Sequence, residues 1–152
     1  MSAGYRASAA LEAFILANAP THHACPDAPS TFEALKAVYR PGESLPVFDG
    51  GCDHTIYSAP AVNHAFRAWH DKTHVENGYG FDDSGEASVA VVHHLQAIAA
   101  GLSREDVRAL WFDTRGQSLY AAEHGGEFPT DQSAFVAACF RDGIETAIHG
   151  NY

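Results

Sequence analysis

Residues 60–80, PAVNHAFRAWHDKTHVENGYG, decide the fold of this chain. The stretch opens with Pro60, which suits the first turn of a helix, and its last residues include two glycines, which commonly end one. Four positions between them lie within an arc of about 60° on a helical projection and form the predicted core face. They are Val62, Phe66, Trp69 and Thr73. The sequence therefore predicts a helix from Pro60 to about Asn77, with Ser58 as its N-cap.

Further helices are predicted on both sides of this stretch. Downstream, capping residues and glycines mark three helices, at about 84–100, 103–124 and 130–148. Upstream, residues 7–18 and a short segment from about 31 to 39 have helical composition, and the proline-rich residues 19–30 between them are predicted to be a loop. In the Gly- and Pro-rich segment that follows, Val47-Phe48 and Thr55-Ile56-Tyr57 are compatible with a small β-hairpin.

These elements together predict an all-α fold in a single domain, 1–152. Helices joined by short connections favour a four-helix bundle-like core. An N-terminal helical segment and an irregular insert at about 41–60 precede that core.

Composition limits the classes of partner. The chain has 19 acidic and 9 basic residues and a formal net charge of −10, which disfavours contact with a nucleic-acid backbone. The sequence has no apolar run near the roughly 20 residues that span a membrane, and its start does not match a signal peptide. The three cysteines form no CxxC pair, which argues against a disulfide framework or a thiolate zinc site. We therefore expect a cytoplasmic protein that binds a small-molecule substrate or a protein partner.

The strongest chemical signal is the histidine pair in WHDKTH, His70 and His74. Four residues apart on a helix, their rings leave the same face about 40° from each other. Two imidazoles so placed can bind one metal ion together. Asn63 shares their side of the helix, and Arg67 and Asp71 come next to it. The motif differs from the zincin HExxH because Asp71 takes the position of the glutamate.

Two later helices carry polar stripes beside apolar ones. In the helix at 84–100, the predicted apolar face comprises Val91, Val92, Leu95 and Ile98, and a separate stripe comprises Glu86, Ala90, His93 and Ala97. In the helix at 103–124, a polar stripe comprises Asp113, Gln117, Tyr120 and His124. Because the charged residues of that helix face elsewhere, the second stripe favours a buried network. The alternative for both stripes is a structural or solvent-facing role.

A site that joins these stripes would be a three-ligand metal centre with one open position. His70 and His74 would be ligands, and Glu86, His93 or Asp113 would be the third. Such a site suits zinc first, and iron or manganese also accept imidazole and carboxylate ligands. Glu86, Asp113 and Tyr120 are the candidate catalytic groups. The remaining candidates for outer contacts to the metal ligands or to substrate are Asn63, Arg67, Asp71, His93, Gln117 and His124.

Two resemblances accompany these patterns. The adjacent His70 and Asp71 resemble the metal-binding His-Asp pair of HD-domain phosphohydrolases, which are all-helical enzymes. That resemblance covers little more than the pair, and it implies an upstream histidine (His22, His23 or His54) and a downstream aspartate (Asp113 or Asp131). The wider pattern NxxFRxWHDxxH, followed by Gly85-Glu86, is similar to phage and bacterial proteins of unassigned function, and this second resemblance implies no activity.

The sequence supports two functions from different classes. The first is a small metal-binding protein, with metal-dependent hydrolysis as its reaction. The second is a non-enzymatic acidic protein that binds or inhibits a partner, as small phage proteins do, with the histidine stripes serving structure. The first depends on whether the stripes on three helices face one point.

Overall fold

A computed structural model describes residues 3–152 of the chain. The fold is mostly helical with one small two-stranded parallel sheet, which confirms the predicted fold class. The helices are α1 (Ala9–Asn18), α2 (Phe32–Val38), α3 (Pro60–Asn77), α4 (Asp83–Ala99), α5 (Arg104–Trp111), α6 (Gln117–Glu123), α7 (Gln132–Asp142) and α8 (Ile144–Ala147). The strands are β1 (His22–Cys25) and β2 (Leu45–Phe48). None of the helices within residues 3–152 combines the length and the hydropathy that a membrane span requires.

Helix α3 is the central helix, and it has the predicted bounds. Pro60 occupies its first turn, and Gly78 ends it in the left-handed conformation with φ of 68°. Its cap differs from the prediction, since Ala59 is the N-cap and makes no side-chain bond. Ser58 instead donates its hydroxyl to Glu12 of α1 at 2.7 Å, which ties the start of α3 to the N-terminal helix.

The predicted hairpin and the predicted loop at 19–30 are both wrong. Strand β2 pairs in parallel with β1, which lies within the expected loop, so that His22 is opposite Leu45 and Cys25 is opposite Phe48. Parallel strands need a long crossover rather than a tight turn, and the segment that contains α2 supplies it. Leu45 and Val47 pack on a small core cluster with Leu35 and Ala68.

The predicted apolar face of α4 is also wrong. Val91, Leu95 and Ile98 are exposed, at 45%, 59% and 52% of their full surface. The buried face is the stripe of small and polar residues, which are Gly85, Val89, Ala90, His93 and Ala97. Small residues allow close packing on this side of the helix, and at its start a Cβ at Gly85 would lie only 1.8 Å from the carbonyl oxygen of Gly80. Close packing of this kind favours the face with small residues over the bulkier apolar face.

The two C-terminal helices of the prediction are each interrupted. The helix expected at 103–124 begins after its predicted cap, Ser103, but a π-helical turn over Phe112–Gly116 separates α5 from α6. Such turns widen a helix by one residue and are frequent at functional sites. The helix expected at 130–148 is divided into α7 and α8 by Gly143, whose φ of 85° breaks the helical path. The main core lies among α1, α3, α5 and α7.

Candidate metal centre

His70 and His74 of α3 meet Glu86, which lies in the first turn of α4. The Nε2 atoms of the two histidines are 3.1 Å apart, and Oε2 of Glu86 lies 3.2 Å from His70 Nε2 and 3.4 Å from His74 Nε2. In a tetrahedral site with metal–ligand distances of about 2.0–2.1 Å, neighbouring ligand atoms lie about 3.3 Å apart. The three atoms therefore have the spacing of one triangular face of a tetrahedral metal site.

His74 is fully buried and held in one orientation by a backbone contact. Its Nδ1 lies 2.8 Å from the carbonyl oxygen of Tyr79, just beyond the end of α3. Gly78 makes this contact possible, because its left-handed conformation turns the chain back toward the helix. A histidine that donates one ring N–H to a carbonyl presents the lone pair of the other nitrogen, as metal-bound histidines commonly do. For His74 that nitrogen is Nε2, the atom that faces His70 and Glu86.

His70 is held by a third histidine. Its Nδ1 lies 3.2 Å from Nε2 of His93, which belongs to the buried face of α4. His93 has no exposed surface, and its ring centroid lies 3.7 Å from that of Trp69. The ring of Phe66 stacks on the other side of His70, with 5.6 Å between centroids. His93 is therefore an orienting neighbour of the cluster and is not in the group whose ligand atoms converge.

Charge within the cluster favours an ionised Glu86. Burial would raise the pKa of Glu86, but hydrogen bonds and charge from His70 and His74 outweigh it and lower that pKa to about 2. Burial would lower the pKa of His74, but Glu86 raises it above its ordinary value. For His93, burial and the nearby charge of His70 lower the pKa well below the ordinary range. A metal ion would therefore meet an ionised carboxylate, and it would bind the histidines in their neutral form.

A cavity of about 360 Å³ opens beside the cluster. Its wall includes His70 and Glu86, while the fully buried His74 lies behind them. The other predicted candidates in this wall are Asn63, Arg67, Asp71, Asp113 and Gln117. Four aromatic residues also line the cavity, and they are Phe48, Phe66, Phe81 and Phe128. The three helices with polar stripes therefore do supply side chains to one cavity.

Asp113 lies in the π-helical turn and is the centre of a buried network. Its two carboxylate oxygens accept hydrogen bonds from the Tyr57 hydroxyl at 2.8 Å and from the Gln117 amide at 2.6 Å. Burial raises the pKa of Asp113 to about 6, although both hydrogen bonds oppose the rise. Burial likewise raises the pKa of Asp71 to about 6. Asp113 is thus a buried carboxyl group that accepts two hydrogen bonds and has a pKa close to neutral pH.

Tyr120 and His124 lie elsewhere. Their rings stack on each other with centroids 3.7 Å apart, and His124 Nε2 lies 2.9 Å from the carbonyl oxygen of Ile148. Tyr120 also contacts the rings of Phe135 and Tyr152. Neither residue is in the wall of the cavity. The structure therefore separates these two candidates from the others.

The sequence analysis missed several contributors to the site, among them three polar groups. These are Tyr57, which binds Asp113; the carbonyl group of Tyr79, which contacts His74; and Gln132, which lies in the cavity wall. The contribution of Tyr79 could have been found in the sequence, because this residue directly follows the glycine that ends α3. No sequence pattern indicated the contact of Tyr57 with Asp113, since the segment of Tyr57 forms no regular element and reaches Asp113 only through the tertiary fold.

Comparisons with protein-family models, with curated proteins and with solved structures gave no match. The resemblance to HD-domain enzymes thus gains no support from a family model. The upstream histidines that it implies, His22, His23 and His54, are not in the wall of the cavity. Asp71 is also outside the group of converging ligand atoms.

Proposed function

We propose that this chain binds one divalent metal ion through His70 Nε2, His74 Nε2 and Glu86 Oε2. The observation that carries the proposal is the triangle of 3.1, 3.2 and 3.4 Å among these atoms. Within residues 3–152 this is also the one group of three or more possible ligands whose atoms converge. Two histidines and one carboxylate suit zinc first, with iron and manganese as alternatives.

The proposed reaction is metal-dependent hydrolysis of a small molecule. Three protein ligands leave a coordination position for water, and a divalent metal lowers the pKa of such a water toward 7. The cavity beside the cluster offers space for the substrate. Asp113 is the proposed proton acceptor, because it lies in the same wall and its pKa of about 6 is close to the working pH.

Metal content tests the proposal directly. The untagged protein is purified without chelator, and elemental mass spectrometry gives the equivalents of zinc, iron and manganese per chain. We expect about one equivalent in the wild type and almost none in the H70A/H74A double variant. His149→Ala is the matched control, because its side chain is 66% exposed and far from the cluster in sequence. Full metal content in the double variant would overturn the proposal.

One observation favours the second candidate, a non-enzymatic acidic protein that binds a protein partner. The exposed residues Val91, Leu95 and Ile98 form an apolar stripe on α4. Exposed apolar patches on small proteins often mark interaction surfaces. This candidate becomes the leading one if the wild type contains no metal and takes up none of the three metals when they are added.

A further inference from the structure

A second chemical cluster lies at the start of α3, apart from the metal ligands. The sulfur of Cys52, in the loop before the helix, is 3.5 Å from Nε2 of His64. The side-chain amide of Asn63 donates a hydrogen bond to the same sulfur at 3.3 Å. Cys52 and His64 are both half-buried, so the sulfur is within reach of small solutes.

This arrangement supplies what a reactive cysteine needs. The thiolate is the nucleophilic form, and a neighbouring imidazole favours it by taking the proton. Proton transfer from Cys52 to His64 Nε2 leaves a sulfur anion that can accept hydrogen bonds from the new imidazolium and from Asn63. The guanidinium group of Arg67, 3.5 Å from the carbonyl oxygen of Gly51, adds positive charge nearby.

Two features of the loop disfavour the thiolate form of Cys52. The carbonyl oxygens of Asp49 and Gly50 lie 3.7 and 3.6 Å from the sulfur and can accept a hydrogen bond only from the thiol form. Asp53, the next residue, is an exposed acidic side chain. Its charge acts through solvent and is screened, whereas His64 and Asn63 contact the sulfur directly.

We propose that Cys52 is a nucleophilic thiol activated by His64 and is a modification site for small soft electrophiles such as hydrogen peroxide. With peroxide, the thiolate sulfur attacks one oxygen and the O–O bond breaks. The leaving hydroxide takes the proton from His64 and becomes water, so that Cys52 is oxidised by two electrons to a sulfenic acid and the peroxide is reduced. With an alkylating agent, an S–C bond forms and the halide leaves.

Modification of Cys52 would affect the cavity, because Asn63 connects the two. This asparagine is 4% exposed and lies in the cavity wall while its amide contacts the sulfur. A sulfenic acid or an alkylated sulfur would change that contact. The reactivity of Cys52 itself requires no metal, so the proposal stands independently of the metal centre.

The other two cysteines of the chain are internal references for the reactivity of Cys52. Cys25 in β1 is half-buried like Cys52, but within residues 3–152 its sulfur has no histidine as a hydrogen-bond partner. Cys139 is fully buried, and burial raises its pKa to about 12. Cys25 therefore measures the reactivity of an ordinary accessible thiol, and Cys139 reports any loss of the fold.

The test is competitive alkylation of the full chain. The protein is treated with limiting iodoacetamide at pH 6 in the presence of EDTA, and peptide mass spectrometry gives a rate constant for each cysteine. The thiolate is the reacting form, and His64 and Asn63 favour it at Cys52 through direct contacts with the sulfur. We therefore expect Cys52 to react several-fold faster than Cys25.

The variant His64→Gln should remove this advantage and leave the rate at Cys25 unchanged. His54→Gln, in the same loop as Cys52, is the matched control and should keep the wild-type rates. Cys139 must stay unreactive in both variants, which shows that they remain folded. Equal rates at Cys52 and Cys25 in the wild type, or a Cys52 rate that survives His64→Gln in folded protein, would overturn the proposal.

Discussion

Removing the His70 side chain should abolish the stabilisation by zinc that the proposed metal site predicts. Of the three proposed ligands, His70 is a suitable target because it lies in the cavity wall and its side chain keeps 19% of its surface exposed. His74, by contrast, is fully buried, and its loss would leave a cavity in the core. His70→Ala therefore separates metal binding from folding better than His74→Ala does.

The size of the effect follows from linkage. A ligand that binds only the folded state at a concentration 100 times its Kd stabilises that state by about 2.7 kcal/mol. For a chain of this length, 1 kcal/mol shifts Tm by about 2–4 °C, so zinc should raise the Tm of the wild type by about 5–10 °C. Without zinc, His70→Ala should itself lower stability by about 1–2 kcal/mol, since it loses the stacking on Phe66 and the contact with His93.

The assay is thermal unfolding followed by circular dichroism, on EDTA-treated and dialysed protein with and without added zinc. The quantity compared is the zinc-induced shift in Tm within each protein, which cancels the intrinsic cost of the substitution. Glu86→Gln keeps the shape of the third ligand and removes its charge, and it should lose most of the shift. A zinc-induced shift in His70→Ala equal to that of the wild type would refute the ligand assignment.

Three more predictions follow from burial. The stability of Asp113→Asn relative to the wild type should rise by about 2 kcal/mol between pH 4 and pH 7.5 in urea unfolding. The folded pKa of Asp113, about 6, exceeds the unfolded value of about 4, so the stability of the wild type falls as pH rises between them. A stability difference that does not change with pH would contradict the raised pKa. Leu95→Ala, at an exposed position, should lower the unfolding free energy by less than about 0.5 kcal/mol, whereas Val89→Ala, at a buried position, should lower it by about 2 kcal/mol. The reverse order would show that α4 buries the opposite face. Gly85→Ala should cost about 2 kcal/mol or more, since its Cβ would lie 1.8 Å from the Gly80 oxygen, and wild-type stability in that variant would disprove the close approach.

The parts of the fold that could be predicted are those with local signals. The end of α3 at Gly78 and the start of α5 after Ser103 are as expected, because a cap depends on a few neighbouring residues. The parallel pairing of β1 with β2 joins segments about 20 residues apart, and neither strand has a strong pattern of its own. The π-helical turn has no sequence signature, so the helix at 103–124 could not be divided beforehand.

The residues of the candidate site also fall into those with a local sequence signal and those without one. The pairing of His70 with His74 is a property of one helix and could be deduced from spacing alone. Glu86 could be nominated from its stripe, but its contact with the histidines depends on how α4 packs against α3. The carbonyl group of Tyr79 and the hydroxyl of Tyr57 reach the site from irregular segments. Their positions follow from tertiary structure, which no pattern of spacing reports.

The wrong prediction for the buried face of α4 and the contact of Glu86 with the two histidines have one cause, which is the orientation of this helix. Hydrophobicity alone would bury Leu95 and its apolar neighbours, and that orientation would turn Glu86 and His93 away from α3. In the structure, Gly85 at the start of α4 packs against the backbone of Gly80, and Glu86 beside it reaches His70 and His74. Exposing three large apolar side chains while burying a histidine costs stability, and natural proteins accept such local conflicts mainly at functional sites. The orientation of α4 is therefore itself an argument that the His70–His74–Glu86 cluster has a function beyond holding the fold together.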